Sequence, residues 1–400
     1  MISIDQALSH LLRDVKVVEE AETVDLIDAH HRVLATPQQA TINVPPANVS
    51  AMDGYAIHSA QTKIDTPYSI SQRIAAGHPA KPLAAGTVAR LFTGSEIPQG
   101  ADTVVIQEDC QTDNDKVVFK VLPKQGANVR LQGQDILAGA TLFSAGRKLL
   151  PQDLGLLASV GIQSVSCKRR LRIGVLSTGD ELIEPGQTPA PGKIFNSNRF
   201  TLRGLINSVD MEFVYLGHIE DDADTTRHAL KDGAERVDVL ITTGGVSVGE
   251  EDHLKAAVES LGELSLWKLA IKPGKPLAYG RITTKNQQST PLFGLPGNPV
   301  AVFVTFLVVV RPYLLAMQGD TASPPQPQLL QSGFTVTKAS PRQEYRRVKI
   351  EGDKVQDFHT QDSGVLSSTH WADALAVVPA DATITTGDNI AVYPFSLFNL

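Results

Sequence analysis

Cysteine is nearly missing from this 400-residue chain: only Cys110 and Cys167 occur, far apart and in no CxxC pattern. Two such thiols complete no zinc site by themselves and build no disulfide framework. The ten histidines form no HxxxH or HxH arrangement, so a histidine-held metal is not expected either. An excess of basic charge is also missing. Thirty-six Lys and Arg stand against 43 Asp and Glu, a net charge of −7, and no global field draws in nucleic acid. An anionic substrate would need a local basic cluster instead. The longest apolar run, VAVFVTFLVVV (300–310), stops at Arg311-Pro312, short of the ~20 residues that span a bilayer, and reads as a buried helix. No Walker A loop is present: GQTPAPGKI has the wrong spacing and no Ser or Thr after Lys193, and no GxGxxG follows a strand. MISIDQALSHLL has no basic n-region of a secretory signal. These absences predict a reduced, soluble, cytoplasmic protein, and the length predicts roughly two to four domains.

What is present changes character along the chain. The first forty or so residues read as helical, with Ala7, Leu8, Leu11 and Leu12 on one 3.6-period face. Pro45 and Pro46 then forbid helix, and Gly54 marks a turn. From about Ala56 to Val129, short apolar runs split by Gly and Pro predict a small β domain. Helix signals return in PQDLGLLASVGI, where Pro151 suits a first turn. From Arg172 strands alternate with helices, which predicts a parallel sheet with right-handed crossovers. SPPQPQ (323–328) reads as a linker, and five short apolar segments beyond it as a second β domain. The expected fold is therefore multidomain α/β plus β. It comprises an N-terminal mixed or helical domain (1–45 and 136–168), an inserted β domain (46–135), a central parallel-sheet α/β domain (169–320) and a C-terminal β domain (321–400).

The chemistry-bearing residues collect where strands of the α/β region end, the edge at which open α/β sheets bind ligands. VLITTGGVSVGEEDH (239–253) reads as a strand buried on both faces, a glycine turn and a helix start capped by Asp252. Such a turn suits an anion, yet Glu250, Glu251 and Asp252 would repel a bare phosphate, and a bridging cation removes that conflict. STGDEL (177–182) and IEDD (219–222) add carboxylates at two further strand ends. Asp180 and Glu181 are either turn acids or, with the others, ligands of a hard cation, for which Mg²⁺ is the expected ion. In WKLAIKPGKPLAYG (267–280), a strand would place Lys268 and Lys272 on one face, with Lys275 beyond a Pro-Gly turn; they form either a solvated face or a basic wall. FGLPGNPVAVF (293–303) is a strand, a tight turn and a helix with Asn298 as N-cap. Its exposed amides serve either helix entry alone or an oxyanion. Asp53 in SAMDGYA, and Arg130 and Asp135 in NVRLQGQDI, sit at turns bordering the inserted β domain.

Taken in order, SAMDGYA, FTGSEIPQGADTVV, VRLQGQDI, STGDEL, NSN, TTGGVSVGEEDH, KPGKP and GLPGNPV resemble the molybdopterin molybdenumtransferase family, the MoeA and gephyrin E-domain type, over nearly the whole chain. The resemblance implies a central molybdopterin-binding domain, a β-barrel-like C-terminal domain, and a homodimer with a cleft shared between subunits. It implies insertion of molybdate into adenylylated molybdopterin with release of AMP. Carried onto this sequence, it makes Asp53, Asp135, Glu181, Asp221 and Asp252 the catalytic acids, with Asp53, Thr93 and Asp135 supplied by the partner subunit. Glu181 and Asp252 would hold Mg²⁺, while Thr93, Ser247, Lys268, Lys272, Lys275, Pro296, Gly297 and Asn298 would bind substrate. Arg342, Arg346, Arg347 and Ser363 match loosely at the border of the site. Ala301 stands where the motif usually has Ser. Two other readings of the same motifs are adenylyl transfer to molybdopterin, which would need only the central domain, and a scaffold that binds partners without catalysis.

Overall fold

Three six-stranded sheets organise the computed structural model, which describes residues 1–219, 222–245 and 253–400. The N-terminal part is far less helical than its first forty residues suggest. Only α1 (Ile4–Arg13) forms there, started by a capping box in which Ser3 and Gln6 exchange bonds. Its buried face, Ala7 and Leu11, packs into the core of the α/β domain. Beyond it the alternation in AETVD favours a strand: β1 (Ala21–Asp25) pairs with β8 (Ser164–Lys168), burying Val24 against Val165 and Cys167. Between these two strands lies the inserted sheet. It is formed by β2 (Gly54–Ile57), β3 (Pro67–Ile74), β4 (Thr87–Leu91), β5 (Thr103–Ile106), β6 (Cys110–Asp113) and β7 (Lys116–Phe119) in the order β5-β2-β4-β3-β7-β6. Of these, β2 and β6 lie outside the runs 68–77, 86–94, 102–109 and 116–122 that read as strands in the sequence. The helix α2 (Pro151–Ser159) follows, with Pro151 in its first turn as expected.

The α/β domain contains β9 (Arg172–Thr178), α3 (Ser197–Asn207), β10 (Glu212–Ile219), α4 (Ala223–Ala234), β11 (Val239–Thr243), α5 (His253–Leu261), β12 (Gly262–Lys268), β13 (Pro276–Thr283) and β14 (Ser289–Leu295). The sheet order is β10-β9-β11-β14-β13-β12. Its first four strands are parallel, and β13 and β12 add an antiparallel edge. All five residues of β11 are buried, as the unbroken apolar run requires of a strand covered on both faces. After β14 the chain runs into α6 (Pro299–Thr305), a five-residue π turn (Phe306–Val310) and α7 (Arg311–Gln318). The helical run thus continues past Arg311-Pro312, because the apolar stretch ends there but the core does not: Tyr313 and Leu314 are buried. Pro299–Gln318 is long and apolar enough to cross a membrane, but two thirds of it is buried inside the protein, where Val300, Val302, Val304 and Val309 belong to the domain core.

The C-terminal strands β15 (Gln328–Ser332), β16 (Gln343–Glu351), β17 (Lys354–Asp357), β18 (Ala374–Val378) and β19 (Asn389–Pro394) close into a five-stranded barrel in the order β16-β17-β15-β19-β18, with β18 returning to β16. A short segment of the α/β domain, Ile271–Lys272, pairs in parallel with β16 and joins the two domains. GFTVTK (333–338), one of the five short apolar segments expected as strands, supplies only the isolated bridge of Val336 to Ile384.

Candidate functional site

Because β9, β10, β11 and β14 are parallel, their carboxyl ends open on one edge of the sheet, and the barrel faces that edge. Between them lies an open cleft of about 960 Å³. Thr178 and Glu181 reach it from the end of β9, Thr243, Gly244 and Gly245 from β11, and Pro296, Gly297 and Asn298 from β14. The glycine turn after β11 is explained first by its own packing. Gly244 has φ +93°, and a Cβ there would lie 2.8 Å from the Thr178 carbonyl oxygen, so the turn presses on the neighbouring strand end as well as facing the cleft. Its amide donates to Leu295 O, which ties three strand ends together.

The start of α3 forms the next wall. Asn196 is buried and caps the helix by accepting from Arg199 N, while its Nδ2 donates to Ser177 Oγ and Glu184 Oε1 at 3.0 and 3.2 Å. Glu184 also accepts from Arg199 and Tyr215, and the Arg199 guanidinium lies 3.8 Å from the Tyr215 ring centre. Burial holds the Tyr215 hydroxyl above its ordinary pKa, so it acts there as a neutral donor to Glu184. Asn198 donates to Gly297 O at 2.8 Å, and Asn298 donates to Ser363 Oγ at 3.0 Å. Asn298 occupies the N-cap position but makes no capping bond with its side chain. Its amide instead reaches across the cleft to the barrel, where Ser363 O also accepts from Val300 N.

The lysines do not share one face. β12 ends at Lys268, which is exposed and outside the cleft lining, and the chain then leaves the sheet to pair with the barrel. Lys272 and Lys275 do line the cleft, with Arg342 of the barrel as a third cation. Lys272 pairs with Glu344 at 3.3 Å, and Lys275 is exposed and makes no ion pair among the described residues. Gly274 between them has φ +107°, and a Cβ there would meet Thr305 Oγ1 at 2.4 Å. Of the loosely matching barrel residues, Ser363 also lines the cleft, while Arg346 and Arg347 do not. Ala301 lines it too, so the usual hydroxyl at that position is replaced by a methyl group at the wall.

The N-terminal acids stand elsewhere. Asp53 Oδ1 accepts from Thr93 N at 2.7 Å and Thr93 Oγ1 at 2.9 Å, and these two bonds hold its carboxyl below the usual carboxylate range. Asp135 is exposed, on a turn whose amide donates to Val44 O. The structure therefore joins Asp53 to Thr93 and gathers Glu181, Lys272, Lys275, Pro296, Gly297 and Asn298, but neither Asp53, Thr93 nor Asp135 lines the cleft of the same chain. Asp221, Ser247 and Asp252 lie outside the described residues, as do Glu250 and Glu251. Among the described residues no three His, Cys, Asp or Glu side chains converge. Around Glu181 the lining offers hydroxyl, amide and carbonyl oxygen and neither sulfur nor imidazole, a donor set that fits Mg²⁺ in kind. Asn196 and Asn198 carry no assigned role in the sequence, where the NSN triplet at a helix start is their signal, and Gly274 is marked there only as part of a Pro-Gly turn.

Comparison with known proteins agrees along the whole chain. Residues 2–161 match the family described as MoeA N-terminal region (domain I and II), 174–316 the probable molybdopterin binding domain, and 330–395 the MoeA C-terminal region (domain IV). The molybdopterin molybdenumtransferase of Haemophilus influenzae is 34% identical over 99% of each chain, and that of Nostoc sp. is 33% identical over 94% of this chain and 88% of its own. A solved molybdopterin biosynthesis MoeA protein from Pyrococcus horikoshii superposes with a TM-score of 0.85 at 27% identity, covering 98% of this chain and all of that one. The strand-end cleft, the barrel that closes it and the full-length likeness lead to one statement: the chain belongs to the molybdopterin molybdenumtransferase family.

Proposed function

We propose that this protein inserts molybdate into adenylylated molybdopterin and releases AMP, a step of molybdenum cofactor biosynthesis. The observation that carries the reading is the cleft itself: Lys272, Lys275 and Arg342 face Glu181 and two amide-bearing turns at the carboxyl edge of a parallel sheet. Cations and free amides suit a substrate carrying several phosphate charges and a small dianion such as molybdate. Gly297 and Asn298, held by Asn198 and Ser363, keep their turn fixed for such contacts. Glu181, with Asp252, would hold Mg²⁺, which supplies charge neutralisation as the phosphoanhydride breaks.

In this reading the protein is a cytoplasmic homodimer, and Asp53, Thr93 and Asp135 complete the partner's cleft. The preformed Asp53–Thr93 pair supports that assignment, because its ionised carboxylate is presented on an exposed surface of the N-terminal half. The test is AMP release from adenylylated molybdopterin with Mg²⁺, with and without molybdate. Release stimulated by molybdate, yielding cofactor that activates an apo-molybdoenzyme, is the expected outcome. Tight substrate binding without release would replace the transferase with a carrier.

A further inference from the structure

One buried charge behind the cleft is only partly balanced. Arg347, in the middle of β16, is the largest fully buried side chain among the described residues. Its Nε donates to Ser368 Oγ at 3.1 Å and its Nη2 to Asp362 O at 3.0 Å. Its backbone exchanges two bonds with the Gln361 amide, N to Oε1 at 2.9 Å and Nε2 to O at 3.1 Å. Among the described residues no carboxylate forms an ion pair with it and Nη1 has no hydrogen-bond partner, although Glu344 and Asp362 act on it at longer range. The neighbouring Arg346, by contrast, is paired with both Glu344 and Asp357. Burial and the adjacent Arg346 push the Arg347 guanidinium down to about 10, still charged at neutral pH.

A guanidinium buried without an ion-pair partner is costly, and replacing such a group with an apolar one of similar volume can stabilise a fold. Its position indicates what it does in return. Residues 361–364 line the cleft, and Arg347 grips two of them, Gln361 and Asp362, from the side away from it. The charge therefore lies one backbone thickness behind the wall that carries Ser363. We infer that Arg347 is a positioning residue for the anion side of the cleft: it fixes the 361–364 loop from within the barrel and counters the Asp362 carboxylate on that loop, so that the wall can receive an oxyanion. The inference rests on the function proposed above and identifies the loop, rather than the lysines alone, as a determinant of oxyanion affinity.

Two substitutions in the full-length protein separate this role from a structural one. Arg347→Met removes the charge and the side-chain bonds to Asp362 O and Ser368, and keeps the backbone bonds to Gln361. Titration calorimetry with molybdate and with AMP is expected to show affinity for at least one falling about tenfold. The KM for that ligand should rise more than kcat falls, and Tm should be unchanged or higher. Ser368→Asp places a carboxylate beside Nε, neutralising the charge while Arg347 stays in place. It is expected to raise Tm and still to weaken anion binding several-fold. Binding and stability then move in opposite directions, which a purely structural residue does not produce. Wild-type affinity in both variants, or affinity that falls only together with Tm, overturns the inference. Should the Met variant fail to melt cooperatively, the Asp variant decides by itself. Wild-type protein that binds neither ligand would overturn the functional reading instead.

Discussion

The two regions that carry candidate site residues are built on opposite principles. In the α/β domain, residues distant in sequence meet because parallel strands end on one edge: Glu181, Gly244 and Asn298 are neighbours by topology, and three glycine or proline turns pack on one another to hold them. In the N-terminal half, Asp53 and Thr93 meet through two hydrogen bonds on an exposed surface, with Arg90 of the sheet beneath them as the nearby cation. A site of the first kind is gathered by its own fold. One of the second kind acquires a purpose only when something docks against it.

The largest expected effect separates the two regions by function. Asp53→Ala and Glu181→Gln should each lower molybdate-stimulated AMP release at least about 100-fold at unchanged Tm. If the cleft is shared across a dimer, refolding the two inactive variants together should restore about a quarter of wild-type activity. Half the dimers are then mixed, and each mixed dimer has one intact site. Absence of any recovery would break the cross-subunit assignment.

Stability sharpens the contrast next. Gly274→Ala combines a left-handed φ with a clash against Thr305 and should cost about 3 kcal/mol in chemical denaturation. Gly139→Ala, at a left-handed φ of +82° in the N-terminal part with open space around it, should cost only about 1 kcal/mol. Equal losses would show that the turns beside the cleft are no more tightly packed than a surface turn. Asn196→Ala removes a cap and leaves buried Ser177 short of a partner, for about 2 kcal/mol.

The smallest effect concerns pH. Thr93→Val deletes one of the two bonds that depress the Asp53 pKa, so that pKa should rise toward the ordinary carboxylate value in an NMR titration. The wild-type contact favours the ionised form. It is present above the unfolded-state pKa and is lost as pH falls through the lower folded value. An unmoved pKa would mean that the Thr93 amide alone holds the carboxylate.

How much of this was legible depends on how far each contact reaches. The alternation from Arg172 onward is readable because buried strands such as β11 are continuous apolar runs and two of the helices begin at side-chain caps, Asn196 and Asp222. Lys268 and Lys272 were misjudged together because side-chain period describes a strand, not the sheet it joins, and Leu269–Ala270 carries the chain from one sheet to another. The helical reading of the first forty residues failed after Arg13, where β1 finds its partner β8 far along the chain. Closure of the barrel, and with it the enclosure of Arg347, depends on β18 meeting β16, which no local pattern reports.

The π turn at Phe306–Val310 sets the phase of everything after it. Such a turn holds one residue more than a turn of α-helix, and one residue corresponds to about 100° of rotation. Losing a single residue there would swing α7 about its axis. Tyr313 would leave its edge-on contact with Phe293, and Arg311 would come off the face of Phe398. That stretch of sequence is therefore one where a conservative replacement is tolerated more readily than a change in length.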